Sequence, residues 1–211
     1  MFFDFHKRGK IIVFYKRKLK ILIVDDFKVK KIISNIILSF LINLYFVLKS
    51  AFFGVFFIIL IVYFDLYSKN YVFELLHYYA IVENNQNPQI YFNQYLSFVY
   101  VQNNGISFGL FDNFANGKMI FAILQASIAF VLLFFMIKAQ YFHLTIAFSL
   151  IIGGAFGNVI DRLQNGAVTD FIDFHIAGYH WPAFNLADSA IFLGVMILLA
   201  CEIFFKKSKL W

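Results

Sequence analysis

A chain of 211 residues that is 62% hydrophobic and only 14% charged is too apolar for a soluble domain, whose apolar share sits near 45–50%. Its mean hydropathy of +0.75 points instead to a polytopic membrane protein. The formal charge of +6 does not imply a nucleic-acid partner, because the lysines and arginines crowd the first 31 residues and the last six, where they suit cytoplasmic membrane anchors.

Residues 1–31 alternate basic and apolar blocks (HKRGK, YKRKLK, KVKK), and 32–48 is apolar apart from Ser34, Asn35, Ser39 and Asn43. Basic-then-apolar is also the pattern of a secretory signal peptide, but no small-residue cleavage site precedes the next apolar run. At about 1.5 Å per residue the 32–48 stretch barely crosses a hydrocarbon core of about 30 Å. Lys31 and Lys49 bracket it, which favours a helix lying on the inner surface over an extra span. The first clear span is 51–64, running into Asp65. The segment 66–117 is too polar to cross; within it 70–81 reads as a short amphipathic helix. Residues 90–102 are rich in β-branched and aromatic side chains, as strands are, and Asn103-Asn104-Gly105 reads as a turn. Further spans are expected at 119–137, 142–160 and 185–205, the last closed by KKSK. The single cysteine, Cys201, lies inside this last run and is read as a packing or lipid-facing residue, so thiols supply neither a disulfide nor a metal cluster.

These elements make an all-α polytopic membrane protein with four transmembrane helices, 49–211, behind a basic extension, 1–48. The N-terminal region, the turn near 138–143 and the tail are all basic and should be cytoplasmic. Four spans satisfy all three, and they place Asp65, the 66–117 segment, Asp161, the 163–183 loop and Asp188 on the outer face. Charge at the mouth of a span is costly in lipid, so such residues are functional candidates.

Asp170 lies in the loop leaving the third span and Asp188 at the mouth of the fourth, so the loop can fold back and bring them together. Two carboxylates that close share a proton. The ionised member can then deprotonate a water while the other protonates a scissile carbonyl, which needs neither a metal nor a cofactor. The alternative is that both cap helices or bind water. Asp161 stands beside Arg162, which would hold it ionised; its expected work is to position Arg162 or tether the 163–183 loop. Asn158 precedes Arg162 by one helical turn, and Asn185 precedes Asp188 by three residues and can orient it; the alternative for both is capping or interhelical bonding. Gly153, Gly154 and Gly157 are read as packing positions. Ser68-Lys69 is a poor nucleophile pair, since adjacent helical residues do not face each other. His175 and His180 with Asp173 lack HExxH or a paired-histidine helix spacing, so no metal is expected and they are read as loop packing at the membrane interface. His143 lies on the inner turn, and Asp112 is read as a turn residue.

The blocks DLYSK (65–69), NNGISFG (103–109), GGAFGNVIDR (153–162), GAVTDFIDF (166–174) and FNLADSAI (184–191), in that order, resemble the lipoprotein signal peptidase (signal peptidase II) family. The resemblance implies a four-span enzyme of the bacterial inner membrane with a small β-rich cradle and an extracytoplasmic site. Its partners would be membrane lipids and diacylglyceryl-modified prolipoproteins, cut by a monomer just before the lipid-modified cysteine. On this resemblance the catalytic pair is Asp170 and Asp188. Asn103, Asn158, Arg162 and Asn185 line the substrate pocket, and Asp65, Lys69 and Asp161 support it. Gly105 and Ala187, within the same blocks, join the substrate-binding or supporting set. The chain departs from the family pattern at Leu66, where glutamine is usual, at Ile106 and Ser107, where two alanines are usual, and in its long basic extension. A reading from another class, a small transporter or proton relay using the same aspartates, would place ionisable groups through the middle of the spans. Here they gather at one mouth. A third, a non-catalytic assembly subunit, would leave the placement of the asparagines and aspartates unexplained.

Overall fold

The computed structural model describes residues 10–13, 22–105 and 117–205. The blocks HKRGK and YKRKLK, Ile106, Ser107, Asp112 and the KKSK tail fall wholly or largely outside them. The chain divides between Phe46 and Val47 into two units. In the first, strands β1 (Lys10–Val13) and β2 (Leu22–Asp25) pair antiparallel, within a region that the alternation of basic and apolar blocks did not mark as strand. Helix α1 is continuous over Asp26–Val82.

The second unit holds the 47–82 part of α1, then α2 (Gly117–Lys138), α3 (Phe142–Asn165) and α4 (Leu186–Phe205). Strands β3 (Ile90–Tyr91), β4 (Leu96–Asn103), β5 (Val168–Ile176) and β6 (Tyr179–His180) make one antiparallel sheet in that order. Among the described residues, four helices are long and apolar enough to cross a membrane, and three of them bear large exposed apolar faces of phenylalanine, leucine and isoleucine. Helix α3 is the exception: most of it is buried. Its inward side is small. A Cβ on Gly153 would meet Ile61 of α1, one on Gly157 would meet the Asp65 carboxylate, and one on Gly154 would meet the Ala187 carbonyl of α4. Close approach of both α1 and α4 is what the glycines permit. Around this centre Ala129, Met136, Leu144, Phe148, Ile152 and Cys201 form the apolar core, so the cysteine is a packing residue.

Two sequence expectations change. The short helix at 70–81 is not separate, because α1 runs unbroken through Asp65. No glycine or proline interrupts 55–82, Lys69 bonds back to Asp65 one turn away, and Val72 and Leu76 continue the apolar stripe onto Phe171 of β5. The part of α1 from 47 to 82 rises about 54 Å at 1.5 Å per residue, well beyond a core of about 30 Å. It ends where Asn84 takes a left-handed φ of 48° and the Asn85 amide closes on the Ala80 carbonyl at 3.0 Å, as helix C-termini commonly do. The second change is in 163–183. Rather than an open loop, it is a nine-residue strand, β5, paired to β4 with Val101 opposite Asp170 and Asn103 opposite Val168. Gly166, at φ 82°, turns the chain out of α3 into that strand.

Candidate active site

The sequence FNLAD becomes a helix start. Asn185 precedes α4, its side-chain oxygen accepts from the Asp188 amide at 2.9 Å, and Asp188 Oδ2 accepts from the Asn185 amide at 3.3 Å. This is the reciprocal geometry of a capping box, built from Asn and Asp three residues apart. The next free amide of the helix, on Ala187, donates to Asp65 Oδ1 at 2.8 Å, which places a carboxylate from α1 at the positive end of α4.

Capping leaves the Asn185 amide group free, and it turns to Asp170. Its Nδ2 donates to Asp170 Oδ1 at 2.7 Å and to Asn158 Oδ1 at 3.1 Å. Asn158 Nδ2 in turn donates to Asp188 Oδ1 at 2.8 Å. Thus two asparagines, one from α3 and one at the head of α4, bind the two aspartates into one network. Asn103, at the end of β4, completes Asp170 by donating to Oδ2 at 3.0 Å.

Beneath the pair sits Lys69. Its ammonium reaches Asp65 Oδ2 at 2.8 Å, Asn158 Oδ1 at 2.9 Å and Asp161 Oδ2 at 3.2 Å, so all three of its donors have an acceptor. Asp161 also accepts from the Thr169 amide at 2.7 Å and from Asn165 at 2.8 Å. Of the two tasks expected for Asp161, the tether to the following segment is the one realised. Its close cation is Lys69 rather than Arg162, because neighbours on a helix point different ways. Arg162 faces elsewhere: Nη1 donates to Gln125 Oε1 at 2.9 Å and Nη2 to the Gly105 carbonyl at 2.8 Å, while its buried Nε meets no acceptor among the described residues. Gly105 is held in place by its own amide, which donates to Asn103 Oδ1 at 3.1 Å.

Every site residue expected from the sequence therefore lies in one connected network: Asp65, Lys69, Asn103, Gly105, Asn158, Asp161, Arg162, Asp170, Asn185, Ala187 and Asp188. Ser68 is spent on the Asp65 carbonyl at 2.9 Å. Sequence reasoning missed Gln125, though a lone glutamine within the apolar run MIFAILQASIAF is a signal in itself. It also missed Thr169, whose part is played by its backbone amide, which no side-chain pattern reveals.

Asp188 opens onto two cavities. One, of about 130 Å³, is lined by Asn103, Gly105, Gln125, Asn158 and Arg162. The other, of about 460 Å³, is largely apolar and lies between Trp181, Pro182, Phe184 and Phe192. Burial, reinforced by the charge of Asp188, pushes the Asp170 carboxyl up to about 6, against the hydrogen bonds from Asn103 and Asn185 and the charge of Lys69. A buried acid of that kind beside a second carboxylate is fit for proton transfer near neutral pH.

The model of a family described as signal peptidase (SPase) II matches residues 57–205. The chain belongs to the signal peptidase II family. It is a peptidase of lipoprotein processing and a multi-pass bacterial membrane protein. Among its relatives, the lipoprotein signal peptidase of Pelagibacter ubique is 37% identical over 77% of this chain and 94% of its own length. That of Anaplasma marginale is 35% identical over 75% and 88%. A solved bacterial membrane enzyme, determined by the in meso method at 2.3 Å resolution, superposes with a TM-score of 0.58 and 30% identity, covering 74% of this chain and 92% of the other.

Two consequences of the network can be measured. Arg162→Lys keeps the charge but cannot reach Gln125 and Gly105 with one planar fork. Peptidase activity should fall about ten- to a hundredfold, as for a displaced positioning group, without being abolished; unchanged turnover would mean that the fork does not matter. The second concerns pH. The Asp170 carboxyl titrates near 6 in the folded chain against an ordinary 3.8, so between those values the folded state holds more protons than the unfolded one. The contribution is fully present below the ordinary value and is lost as pH rises through about 6. Thermal unfolding in detergent should show the parent losing stability over that window and Asp170→Asn lacking that part of the slope.

Proposed function

We propose that Asp170 and Asp188 are the catalytic pair and that the substrates are diacylglyceryl-modified prolipoproteins, cut just before the lipid-modified cysteine. The observation that carries this reading is the bridge through Asn185 and Asn158, which holds the two carboxylates in one hydrogen-bonded unit. The ionised member takes a proton from a water as that water attacks the scissile carbonyl. The protonated member donates to the developing oxyanion; as the C–N bond breaks, the first aspartate passes the proton taken from water to the leaving amine while the second takes its own back from the gem-diol hydroxyl. Asn103, Asn158 and Asn185 orient the carboxylates. Arg162 holds Gly105 at the rim of the smaller cavity, where the peptide would lie.

The site sits at the outer face of the inner membrane on this reading, with the sheet β3–β6 as an extracytoplasmic cradle, and the extension 1–48 is accessory. The apolar cavity beside Asp188 suits acyl chains, so a diacylated cysteine would bring its own scissile bond to the aspartates. Anchoring enzyme and substrate in one bilayer supplies orientation that a bimolecular cut otherwise lacks. A relay reading gains nothing from the geometry, since the buried charges bond to one another rather than line a path through the spans. The test is cleavage of a diacylglyceryl-modified peptide by the purified chain, with the unlipidated peptide as control. Equal cutting of both would remove the lipid from the account, and cutting of neither would remove the substrate class.

A further inference from the structure

The β5–β6 hairpin gathers three metal-ligating side chains that the peptidase chemistry leaves unused. Asp173 and His175 are two apart on β5 and so share a face, and His180 of β6 pairs directly opposite His175. The turn Ala177–Gly178, with both residues at positive φ, fixes that register, as two-residue hairpin turns do. His175 Nδ1 then lies 3.1 Å from Asp173 Oδ2, and His180 Nδ1 lies 2.9 Å from each carboxylate oxygen. One ligating atom from each side chain falls within 4.8 Å of the other two.

Ser97, paired with Asp173 across the sheet and fully buried, donates to Oδ2 at 2.8 Å, and Gln89 reaches the same oxygen at 3.3 Å. Asp173 Oδ2 therefore has four potential donors around it: Ser97, Gln89, His175 and His180. A carboxylate oxygen has about two lone-pair sites, so hydrogen bonds alone do not account for the convergence. A cation held between the imidazoles and the carboxylate would.

We infer that Asp173, His175 and His180 form a binding site for a divalent transition-metal ion of the zinc class, with water completing the coordination. Two imidazoles and one carboxylate suit zinc and its neighbours and not magnesium or calcium, which prefer oxygen. Tetrahedral bonds of 2.0–2.1 Å place neighbouring donor atoms about 3.3 Å apart, a few tenths of an ångström beyond the spacing present. His180, with its side chain 52% exposed, can swing by that much and gives the ion a way in. Ser97 and Gln89 are the groups that orient the carboxylate, as partners of metal ligands do. Helical spacing is absent from DFHIAGYH, but a hairpin brings the same residues together. The inference stands apart from the assignment of the catalytic pair.

The experiment is Zn²⁺ titration of the purified full chain in detergent, carrying a tag without histidine and stripped by chelator, against a chromophoric competitor. About one Zn²⁺ per chain is expected, with a rise in the thermal midpoint. His180→Gln should weaken binding about tenfold or more and abolish the rise, while His180→Cys, which keeps a ligating atom, should retain both. His77→Gln, on α1, should bind as the parent does. No uptake by the parent, or uptake that survives His175→Asn with His180→Gln, overturns the assignment and leaves the three side chains as hydrogen-bonding groups only.

Discussion

Asp170→Asn and Asp188→Asn are each expected to cut processing of a lipidated peptide by about a thousandfold or more, the scale of losing a proton-transfer group in the transition state, while the chain still inserts and folds. The amide keeps the shape of the carboxyl, but it can neither accept a proton from water nor carry one to the substrate. Folding should survive because the contacts are of the kind an amide can reproduce in part. Asp170 Oδ1 receives from Asn185, and a carbonyl oxygen of asparagine can do the same. For Asp188, the weaker capping contact at 3.3 Å is the one at risk, and loss of a cap costs about 1 kcal/mol. The measurement is a rate, beside an unfolding midpoint for each variant. A variant that cleaves at the parent rate removes that aspartate from the mechanism. One that is inactive because it no longer folds shows as a collapsed midpoint.

The apolar runs made the four helices legible, since length and composition decide what lipid tolerates. The polar residues at their mouths stood out for the same reason. What could not be read was where α1 stops, because its 66–82 portion is too polar for a span yet is held helical by packing on Phe171 and by the Asp65–Lys69 bond. Strand β5 was hidden too. Asp170 and Asp173 break its apolar alternation, and both are charges satisfied by partners far off in sequence. The FNLAD block shows the opposite case. Its spacing left Asn185 either to orient Asp188 or to cap the helix, and the reciprocal amide bonds are those of a cap. The hydrogen bond from Ala187 to Asp65 belongs to a contact across 122 positions, and no local pattern encodes it.

Lys69→Met should destabilise the protein by about 3–5 kcal/mol, the range seen when one partner of a buried ion pair is removed. Lys69, Asp65 and Asp161 are each no more than 3% exposed, so water cannot replace the ammonium. Methionine keeps most of the apolar stem, which isolates the charge from the packing. The loss would spread, because the two carboxylates are not idle. Asp65 holds the head of α4 through Ala187, and Asp161 holds the entry to β5 through Thr169. Those are the two segments that carry Asp188 and Asp170, so activity should fall with stability, even though Lys69 donates to neither aspartate. Adding Asp161→Asn to Lys69→Met removes one of the stranded charges and should recover part of the midpoint in a thermal unfolding series. If the single variant unfolds like the parent, the buried cluster is not what fixes the site. If the double variant is worse than the single one, the cost lies in lost hydrogen bonds rather than in unpaired charge.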